Sequence, residues 1–392
     1  MAMQQLLNKT KGDRIIWGVV IVLSLVSIMA VYSSTGSLAY RLNKGHTEIY
    51  LIKQIGTLLA GMGIIYLSHK LKYTVYSKIA IILFAISIPL LFYTLAFGTT
   101  LNEGSRWIRV PVVGVTFQTS DLAKLGLFMF LARQLSKIQN DLDNLKRVAI
   151  NIFLPVIVIC GLIALANLST ALMIAFSCGV LFFIGRIRFK HLLILGVAGI
   201  ILFAAIFTFS KITGIGRAET WEARIKNFSS DKKDDVPFQV QQAKIAIAQG
   251  MLFGKGAGNS SQRNFLPHPY SDMIYPIIIE EYGLVGGFGL LFLYLLFLWR
   301  SILIFRRCPF AFGAFLAVGL SFTLVFQAFL NMGVAVNLLP VTGLTLPLVS
   351  MGGSSIWFTC FTIGIILSVS KFVEEAEPNE EIINENIETE QE

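Results

Sequence analysis

Long apolar runs separated by short polar breaks dominate this chain. Each run is close to the length that a helix needs to cross about 30 Å of hydrocarbon. The pattern predicts about ten transmembrane helices, at residues 15–33, 49–69, 76–97, 119–136, 147–166, 168–186, 190–210, 272–299, 309–332 and 345–370. We therefore expect an all-α polytopic membrane protein.

The basic residues predict how these spans are oriented. The first run, Ile15 to Tyr32, follows Lys9, Lys11 and Arg14 and lacks a clear small-residue cleavage site. It is expected to remain in the protein as a signal anchor. Lys and Arg recur in alternate breaks between the spans, and basic loops stay on the cytoplasmic side. We therefore predict a multi-pass protein of the cytoplasmic (inner) membrane, with both termini in the cytoplasm.

Three segments depart from the pattern of spans and short breaks. Residues 98–118 and 211–271 form long outer segments, the second between spans seven and eight, and loops of this length are usually functional or disordered. Residues 236–247 alternate apolar and amide side chains, as an interfacial amphipathic helix does. The tail 374–392 has nine glutamates and no basic residue. We expect it to be a disordered cytoplasmic tail, which leaves residues 1–373 as the membrane domain.

Composition narrows the function classes. The chain is 55% hydrophobic and only 14% charged, whereas soluble domains carry about a quarter charged residues. The net charge is +9, and without the nine glutamates of the tail the remaining chain carries about +18. This basic excess lies largely in short loops between spans, which indicates topology rather than nucleic-acid binding. The four cysteines and four histidines are dispersed. Neither a zinc site nor a disulfide framework is expected.

Asp272 is the leading candidate for a catalytic group. It lies where the long outer segment ends and the eighth span begins. A carboxylate at this position would also serve as a helix cap or first-turn acid, and the two roles are compatible. A carboxylate at membrane depth beside a glycine-rich polar loop is nevertheless costly unless it is used.

Two further acids follow inside the same span. Glu280 lies about 80° around the helix from Asp272 and roughly 12 Å along it, and Glu281 points nearly opposite. Neither can face lipid cheaply, so we expect both to face the bundle interior in structural ion pairs. Lys124, early in the fourth span, is a candidate partner for one of them.

Basic residues are gathered at the outer ends of spans three and four. Arg106, Arg109 and Lys124 lie there, against the topological trend that keeps basic residues inside. Arginine binds phosphate through a planar fork and lysine as a compact charge. We therefore predict phosphate recognition rather than simple snorkelling. Further candidates in the long outer segment are Arg217, Arg224 and Arg263.

A glycine-rich stretch runs from Gly254 to Ser260 and includes Gly256 and Gly258. Bare backbone amides of this kind can approach an anion. Glycine also permits a simple tight turn, and the stretch lacks the ending of a nucleotide-binding P-loop. Phosphate contact by this loop is one of two interpretations that the sequence leaves open.

Small polar residues cluster again near the last two spans. Gln327 and Asn331 precede residues 339–355, which contain two prolines, several glycines and the hydroxyls of Ser354 and Ser355. Such a sequence at membrane depth predicts broken helix that is buried in protein or lines a cavity. The density of small polar groups favours the cavity.

These motifs resemble those of the SEDS family (shape, elongation, division and sporulation), and the resemblance spans nearly the whole chain. The matching pieces are Arg106-Trp107-Ile108, Gln118-x-Ser120-x-x-x-Lys124, Gly258-Asn259-Ser260-x-Gln262-Arg263, Leu266-Pro267, Asp272, Glu280-Glu281-x-Gly283-x-x-Gly286, Gln327-Ala328-x-x-Asn331-x-Gly333, Leu339 to Pro347 and Gly352-Gly353-Ser354-Ser355. The stretch Gly258 to Arg263 looks more like the division branch, FtsW, than the elongation branch, RodA.

The chain departs from the family pattern at three acidic positions. Asp121 stands where the family usually has Glu, Asn167 where it has Asp, and His268 where it has Glu after Leu-Pro. A catalytic or metal role for position 167 is therefore in doubt, and the second acid near Asp272 is missing. Asp272 itself matches.

The resemblance implies a peptidoglycan glycosyltransferase acting in septal cell-wall synthesis during cell division. Its substrate would be lipid II, and glycosyl transfer would invert the anomeric centre and release undecaprenyl pyrophosphate. Asp272 would activate the acceptor hydroxyl or hold a divalent cation (Mg²⁺ or Mn²⁺). Arg106 and Lys124 would stabilise the leaving pyrophosphate. The full set of candidate substrate contacts is Arg106, Lys124, Arg217, Arg224, Gly256, Gly258, Ser260, Gln262, Arg263, Ser354 and Ser355.

The resemblance also implies partners: a class B penicillin-binding protein, because this chain shows no transpeptidase domain, and other division-machinery membrane proteins. Two rival functions stay open on the sequence. A lipid II flippase would use the same cavity and cations but needs access from both sides. A scaffold that only recruits the penicillin-binding protein would not need a carboxylate at membrane depth.

Overall fold

The computed structural model describes residues 11–42, 46–101, 104–109, 116–213, 218–229 and 237–389. Its helices, labelled in chain order, are α1 Arg14–Ser34, α2 Gly36–Leu42, α3 Glu48–Lys70, α4 Val75–Phe97, α5 Thr119–Lys137, α6 Leu145–Ala166, α7 Leu168–Ile184, α8 Phe189–Thr213, α9 Ala218–Ser229, α10 Phe238–Gly250, α11 Ile274–Arg307, α12 Ala311–Ala335 and α13 Ser354–Thr389. Short 3₁₀ turns occupy Gln139–Asp141 and Gln262–Asn264.

The predicted all-α polytopic fold is confirmed. Within the described ranges, eight helices are long and apolar enough to cross a membrane. The predicted fourth and sixth spans are helices too, Thr119–Lys137 and Leu168–Ile184. The former carries several charged residues and the latter is short, so neither is among those eight. The count of ten spans and the cytoplasmic placement of both termini stay predictions.

Two segments differ from the sequence-based expectation. The outer segment 98–118 contains a small antiparallel sheet, with β1 Thr99–Leu101, β2 Gly104–Arg109 and β3 Thr116–Gln118 in the order β1-β2-β3. Aromatic and β-branched residues in this stretch suit a pleated strand. The tail, which was expected to be disordered, continues α13 as helix to Thr389.

Contacts with the N-terminal segment hold the first turn of that tail. The Glu374 carboxylate accepts a hydrogen bond from the Gly12 amide (2.5 Å), and Glu375 pairs with Lys11 (3.0 Å).

The ends of α11 and α13 also differ from prediction: α11 continues beyond residue 299 to Arg307, and α13 begins at Ser354 rather than near residue 345. Pro347 and the left-handed Gly353 keep the preceding segment out of helix.

Small residues let the helices pack closely. Helix α13 packs along α3, and α4 packs along α5. A Cβ added at Gly61 would lie 2.6 Å from Cys360 Sγ, and one at Gly364 would lie 2.6 Å from Ser68 Cβ. Glycine at such contacts is a common way for membrane helices to approach each other. Helices α10, α11 and α12 form a neighbouring layer, with α1 against α11 and α5 against α12.

Helix α11 is broken at Gly283, which has φ 68° and ψ −170°. The backbone after α10 fills this break. Amides of Lys255 and Gly256 donate to the carbonyls of Glu280 and Glu281 (both 2.9 Å). In return, Leu284 and Val285 donate to the carbonyls at 251 and 252 (2.9 and 3.2 Å). Backbone groups freed by a helix break inside a membrane protein need such partners.

Candidate functional site

Asp272 is held by the non-helical segment between α12 and α13. The Met351 amide donates to the Tyr270 carbonyl (2.9 Å), and Ser350 Oγ donates to the Ser271 carbonyl (2.6 Å). Asn331 Nδ2 then donates to the carbonyl of Asp272 itself (2.8 Å). Three successive residues are therefore fixed by one neighbouring segment and one helix.

Gln327 and Asn331 lie one turn apart on α12 and so share a face. Asn331 Nδ2 also donates to the Leu344 carbonyl (2.7 Å), and Gln327 Nε2 donates to the Thr345 carbonyl (2.9 Å). On the same face, Gln327 Oε1 accepts a hydrogen bond from Lys124 Nζ (2.7 Å). These two amides therefore connect Lys124 to Asp272 through a single rigid helix.

The surroundings of the Asp272 side chain suit a proton acceptor. Burial raises the pKa of this carboxyl above its usual value, against the opposing effects of nearby backbone amides and of His268 and Arg224. Arg224 Nη1 donates to the Val341 carbonyl (3.0 Å), which fixes this cation beside the loop. A Cβ added at Gly343 would lie 3.9 Å from Asp272 Oδ2. Gly343, which has no side chain, therefore lies close to the carboxylate of Asp272.

Lys124 lines a narrow cavity of about 20 Å³ together with Asp121, Gln327 and Ser355. Lys124 Nζ lies 3.6 Å from Asp121 Oδ1. The expectation that Lys124 partners Glu280 or Glu281 is wrong, because Asp121 is three residues away on the same helix. The buried Asp121 Oδ2 has no hydrogen-bond partner in the described part of the chain. Ser354, at the adjacent start of α13, accepts from the Gln118 amide (3.4 Å).

Glu280 is fully buried, and its carboxylate anchors the loop after α10. It forms an ion pair with Lys255 (2.7 Å). Ser260 and Ser261 donate their hydroxyls to it, the latter at 2.8 Å. The amides of Ser261 and Gln262 complete the set (3.1 and 3.2 Å). A buried charge with this many donors is satisfied in place, so Glu280 acts as a structural acid.

The sequence leaves two interpretations of the glycine-rich stretch open, phosphate contact and a tight turn, and this arrangement favours the tight turn. The Gly256 amide donates to the Glu281 carbonyl (2.9 Å), and the Gln262 amide and Ser260 hydroxyl donate to Glu280. These donors therefore hold the loop to α11 and do not face an external anion. Gly258 is exposed and has φ 78°, a conformation that glycine adopts easily.

Arg263 and Glu281 both contact the end of α1. Arg263 Nη1 donates to the Ser33 carbonyl (3.2 Å) and lies 3.3 Å from Ser33 Oγ. The Ser33 hydroxyl donates to the buried Glu281 carboxylate. Glu281 Oε2 has no further hydrogen-bond partner among the described residues. Arg263 is therefore fixed toward α1, whereas Arg224 is the arginine beside Asp272.

The structure describes only some of the remaining residues that were predicted to contact the substrate. Arg106 lies on strand β2, whose Trp107 pairs with Gln118 immediately before α5, so the backbone of Arg106 is close to the start of the Lys124 helix. Arg217 lies outside the described residues.

Over the described ranges, no group of three or more His, Cys, Asp or Glu side chains comes together as a metal site. A cation at Asp272 would therefore share its ligands with substrate phosphate oxygens.

Sequence reasoning missed Lys255, Asp121 and Gly283. The signal for Lys255 was present, because a lysine inside a glycine-rich loop precedes a span with two unpaired acids. Asp121 was noted only as a departure from a family motif. Nothing in the local pattern marks Gly283 as a helix break, since Gly286 and Gly287 follow it in the same helix without one.

The chain matches known proteins along most of its length. A family model described as "Cell cycle protein" and named FTSW_RODA_SPOVE matches residues 13–375. Stage V sporulation protein E of Bacillus subtilis (strain 168) is 30% identical over 383 residues, which covers 93% of this chain and 98% of that protein. A probable peptidoglycan glycosyltransferase FtsW of Geobacter sp. (strain M18) is 30% identical over 377 residues, covering 91% and 96%.

Solved structures show the same fold. A chain from a peptidoglycan synthase complex, studied for the structural coordination of polymerization and crosslinking, matches with a TM-score of 0.67 and 25% identity, covering 92% of this chain and 98% of that one. The rod shape determining protein RodA of Thermus thermophilus matches with a TM-score of 0.63 and 27% identity, covering 93% and 98%. The SEDS resemblance is thereby confirmed, and the assignment to the division branch stays a prediction.

Proposed function

Because the chain belongs to the FtsW/RodA/SpoVE family of cell cycle proteins, we propose that it is a peptidoglycan glycosyltransferase that polymerises lipid II at the division septum. The observation that carries the proposal is the connection of Asp272 to Lys124 through Asn331 and Gln327. A general base and a cation are thereby held on one rigid frame. Glycosyl transfer from a pyrophosphate donor needs both groups.

The proposed reaction is a single inverting displacement. Asp272 accepts the proton of the acceptor 4-hydroxyl as its oxygen attacks the anomeric carbon of the donor. The bond from that carbon to the pyrophosphate oxygen breaks on the opposite face, and undecaprenyl pyrophosphate leaves. Lys124 stabilises the charge that develops on the leaving group. One base suffices, because pyrophosphate leaves without the protonation that the second carboxyl group of an inverting glycosidase supplies.

The burial that raises the pKa of Asp272 supports its role as the base. A less acidic carboxyl is a stronger proton acceptor once it is ionised, and catalysis is most effective when the pKa approaches the working pH. The charge of Arg224, which is anchored on Val341, lowers the pKa of this carboxyl against the larger effect of burial. Arg224 also provides a second cation for a phosphate group. Arg106 is the remaining candidate for that contact.

A class B penicillin-binding protein is the proposed partner. One structural neighbour belongs to a peptidoglycan synthase complex in which polymerization and crosslinking are coordinated. By the same logic, the glycan made by this chain would be crosslinked by a separate transpeptidase. Division-machinery membrane proteins would then place the pair at the septum.

The test is lipid II polymerisation by the purified protein in proteoliposomes, alone and with its cognate penicillin-binding protein. We expect glycan strands from the native protein and a loss of at least 10²-fold for Asp272→Asn. Normal glycan from a folded Asp272→Asn variant would contradict the catalytic assignment. Lipid II translocation without any glycan would instead indicate a flippase. If the Asp272→Asn variant still supports the penicillin-binding protein at the native level, this would indicate that the chain is a scaffold.

A further inference from the structure

A second polar cavity lies at the other end of the bundle from Asp272. It has a volume of about 380 Å³ and is lined by the segment around Asp13, the C-terminal part of α11 and α13 near Ser370. Asp272 precedes α11, and Arg300 lies roughly 40 Å further along it at 1.5 Å per residue. The alternating basic loops predict that this end faces the cytoplasm. The cavity is therefore separate from the proposed glycosyl-transfer site.

Helix α11 gives this cavity a wall that is both cationic and apolar. Arg300, Leu303, Ile304 and Arg307 all line it, and their spacing puts them on one helix face. Arg14, at the start of α1, lines it from a second helix. Arg307 beside the apolar Leu303 and Ile304 matches a phosphate group that is joined to an acyl chain.

The acidic groups in the cavity are already bound to protein donors. Asp13 pairs with Arg300 through Nε (2.7 Å) and Nη2 (2.6 Å), and its other oxygen accepts the amides of Ile15 and Ile16 (2.9 and 3.1 Å). Glu374 accepts the Gly12 amide (2.5 Å). Three arginines line the cavity against these two carboxylates. The lining keeps a positive excess for an anionic ligand.

Exposed aromatic side chains near the cavity indicate a position at the membrane interface. Trp299 is 52% exposed and the Arg300 guanidinium lies 5.6 Å from its ring centroid. Phe310, just beyond the end of α11, is 56% exposed. Tryptophan is enriched where hydrocarbon meets headgroups. A ligand that combines a phosphate with a hydrocarbon chain reaches this position from the bilayer itself.

We propose that this cavity binds the phosphate headgroup of an anionic phospholipid of the cytoplasmic leaflet, with Arg14 and Arg307 as its principal cations. Basic pockets between helices on this side of a membrane are suited to such headgroups. A soluble phosphate ester shares the headgroup chemistry but has no hydrocarbon chain to pack against Leu303 and Ile304. The proposal is independent of the function assigned to Asp272.

The test is lipid retention by the full-length protein, purified from nanodiscs containing phosphatidylcholine and phosphatidylglycerol and read by native mass spectrometry. We expect retained phosphatidylglycerol, and a loss of about tenfold or more in the Arg14→Gln/Arg307→Gln variant, because each surface arginine contributes about 1 kcal/mol to anionic-lipid binding. The matched control is Lys137→Gln/Lys146→Gln, which removes two exposed charges away from the cavity. Its retention should stay at the native level.

A second variant avoids any change of charge. Leu303→Trp fills the apolar wall, and we expect it to lower phosphatidylglycerol retention several-fold while the thermal midpoint stays near that of the native protein. Native retention in both Arg14→Gln/Arg307→Gln and Leu303→Trp would overturn the proposal, as would equal losses in the lysine control. Displacement of the lipid by excess glycerol phosphate would show that a soluble anion is the ligand.

Discussion

Asp272 and Glu280 are acids at the same end of α11, and their surroundings differ in kind. Glu280 is fully buried, is paired with Lys255 and accepts several loop hydrogen bonds. Asp272 keeps part of its surface exposed and lies close to Gly343, which has no side chain. A buried charge that is fully satisfied stabilises structure. A carboxylate with an accessible face and a raised pKa is available for chemistry.

The same contrast holds for the two lysines. Lys255 holds Glu280, whereas Lys124 lies in a cavity beside an unpartnered buried oxygen of Asp121, within the described residues. The substitution with the largest expected effect on activity distinguishes these two lysines. Lys124→Met should lower glycan synthesis about 10²-fold, because a charge that stabilises the leaving group is typically worth this much. The measurement is the initial rate of lipid II consumption.

The control for this prediction is Lys255→Met. It removes a cation of the same type, and should lower the thermal midpoint while the rate per folded molecule stays near native. The comparison would fail if Lys255→Met lost turnover as strongly as Lys124→Met at equal folded fraction.

The next prediction concerns the break in α11. Gly283 has a positive φ, and a Cβ there would lie 2.1 Å from the carbonyl oxygen at 252. Gly283→Ala should therefore destabilise the protein by about 3 kcal/mol, through backbone strain and loss of the loop contacts. Gly289→Ala is the matched control, since nothing lies within 4 Å of a Cβ on that glycine. Thermal unfolding in detergent compares the two variants. Equal midpoints would contradict the close packing of the loop after α10 against the helix break at Gly283.

The smallest effect is a shift in pH dependence. If Asp272 is the base, the rate rises with pH through the pKa of its carboxyl and levels off above it. The positive charge of Arg224 lowers that pKa against the effect of burial. Arg224→Gln should therefore move the acid limb of the rate profile to higher pH. An acid limb that stays in place, or moves to lower pH, would contradict this electrostatic link.

Sequence patterns predict the helical frame well because each apolar run carries its own signal. The helices at Glu48–Lys70 and Val75–Phe97 begin and end within a residue or so of the predicted spans. Amphiphilic segments are harder to delimit. The predicted interfacial helix at 236–247 is a helix at Phe238–Gly250, but it packs against α11. Only the tertiary contact determines which of its faces is covered.

The candidate site is predicted less completely, for a physical reason. Asp272 could be singled out because an acid at membrane depth is costly wherever the chain folds. The hydrogen-bond partners of the site residues could not be predicted, because they depend on which distant segments of the chain meet. Lys124 binds Gln327, more than two hundred residues away, and the glycine-rich stretch is held by Glu280 rather than facing an anion. Such contacts follow from the fold and leave no local signature.

The central claim is that Asp272 performs chemistry while Glu280 maintains structure. The most direct measurement compares Asp272→Asn with Glu280→Gln for both lipid II polymerisation and thermal unfolding. We predict that Asp272→Asn loses at least 10²-fold in rate with a near-native midpoint. Glu280→Gln should lose about 3 kcal/mol of stability, because Lys255 loses its buried partner, and should keep its rate per folded molecule. A native rate for folded Asp272→Asn, or equal losses of rate in both variants, would contradict the account.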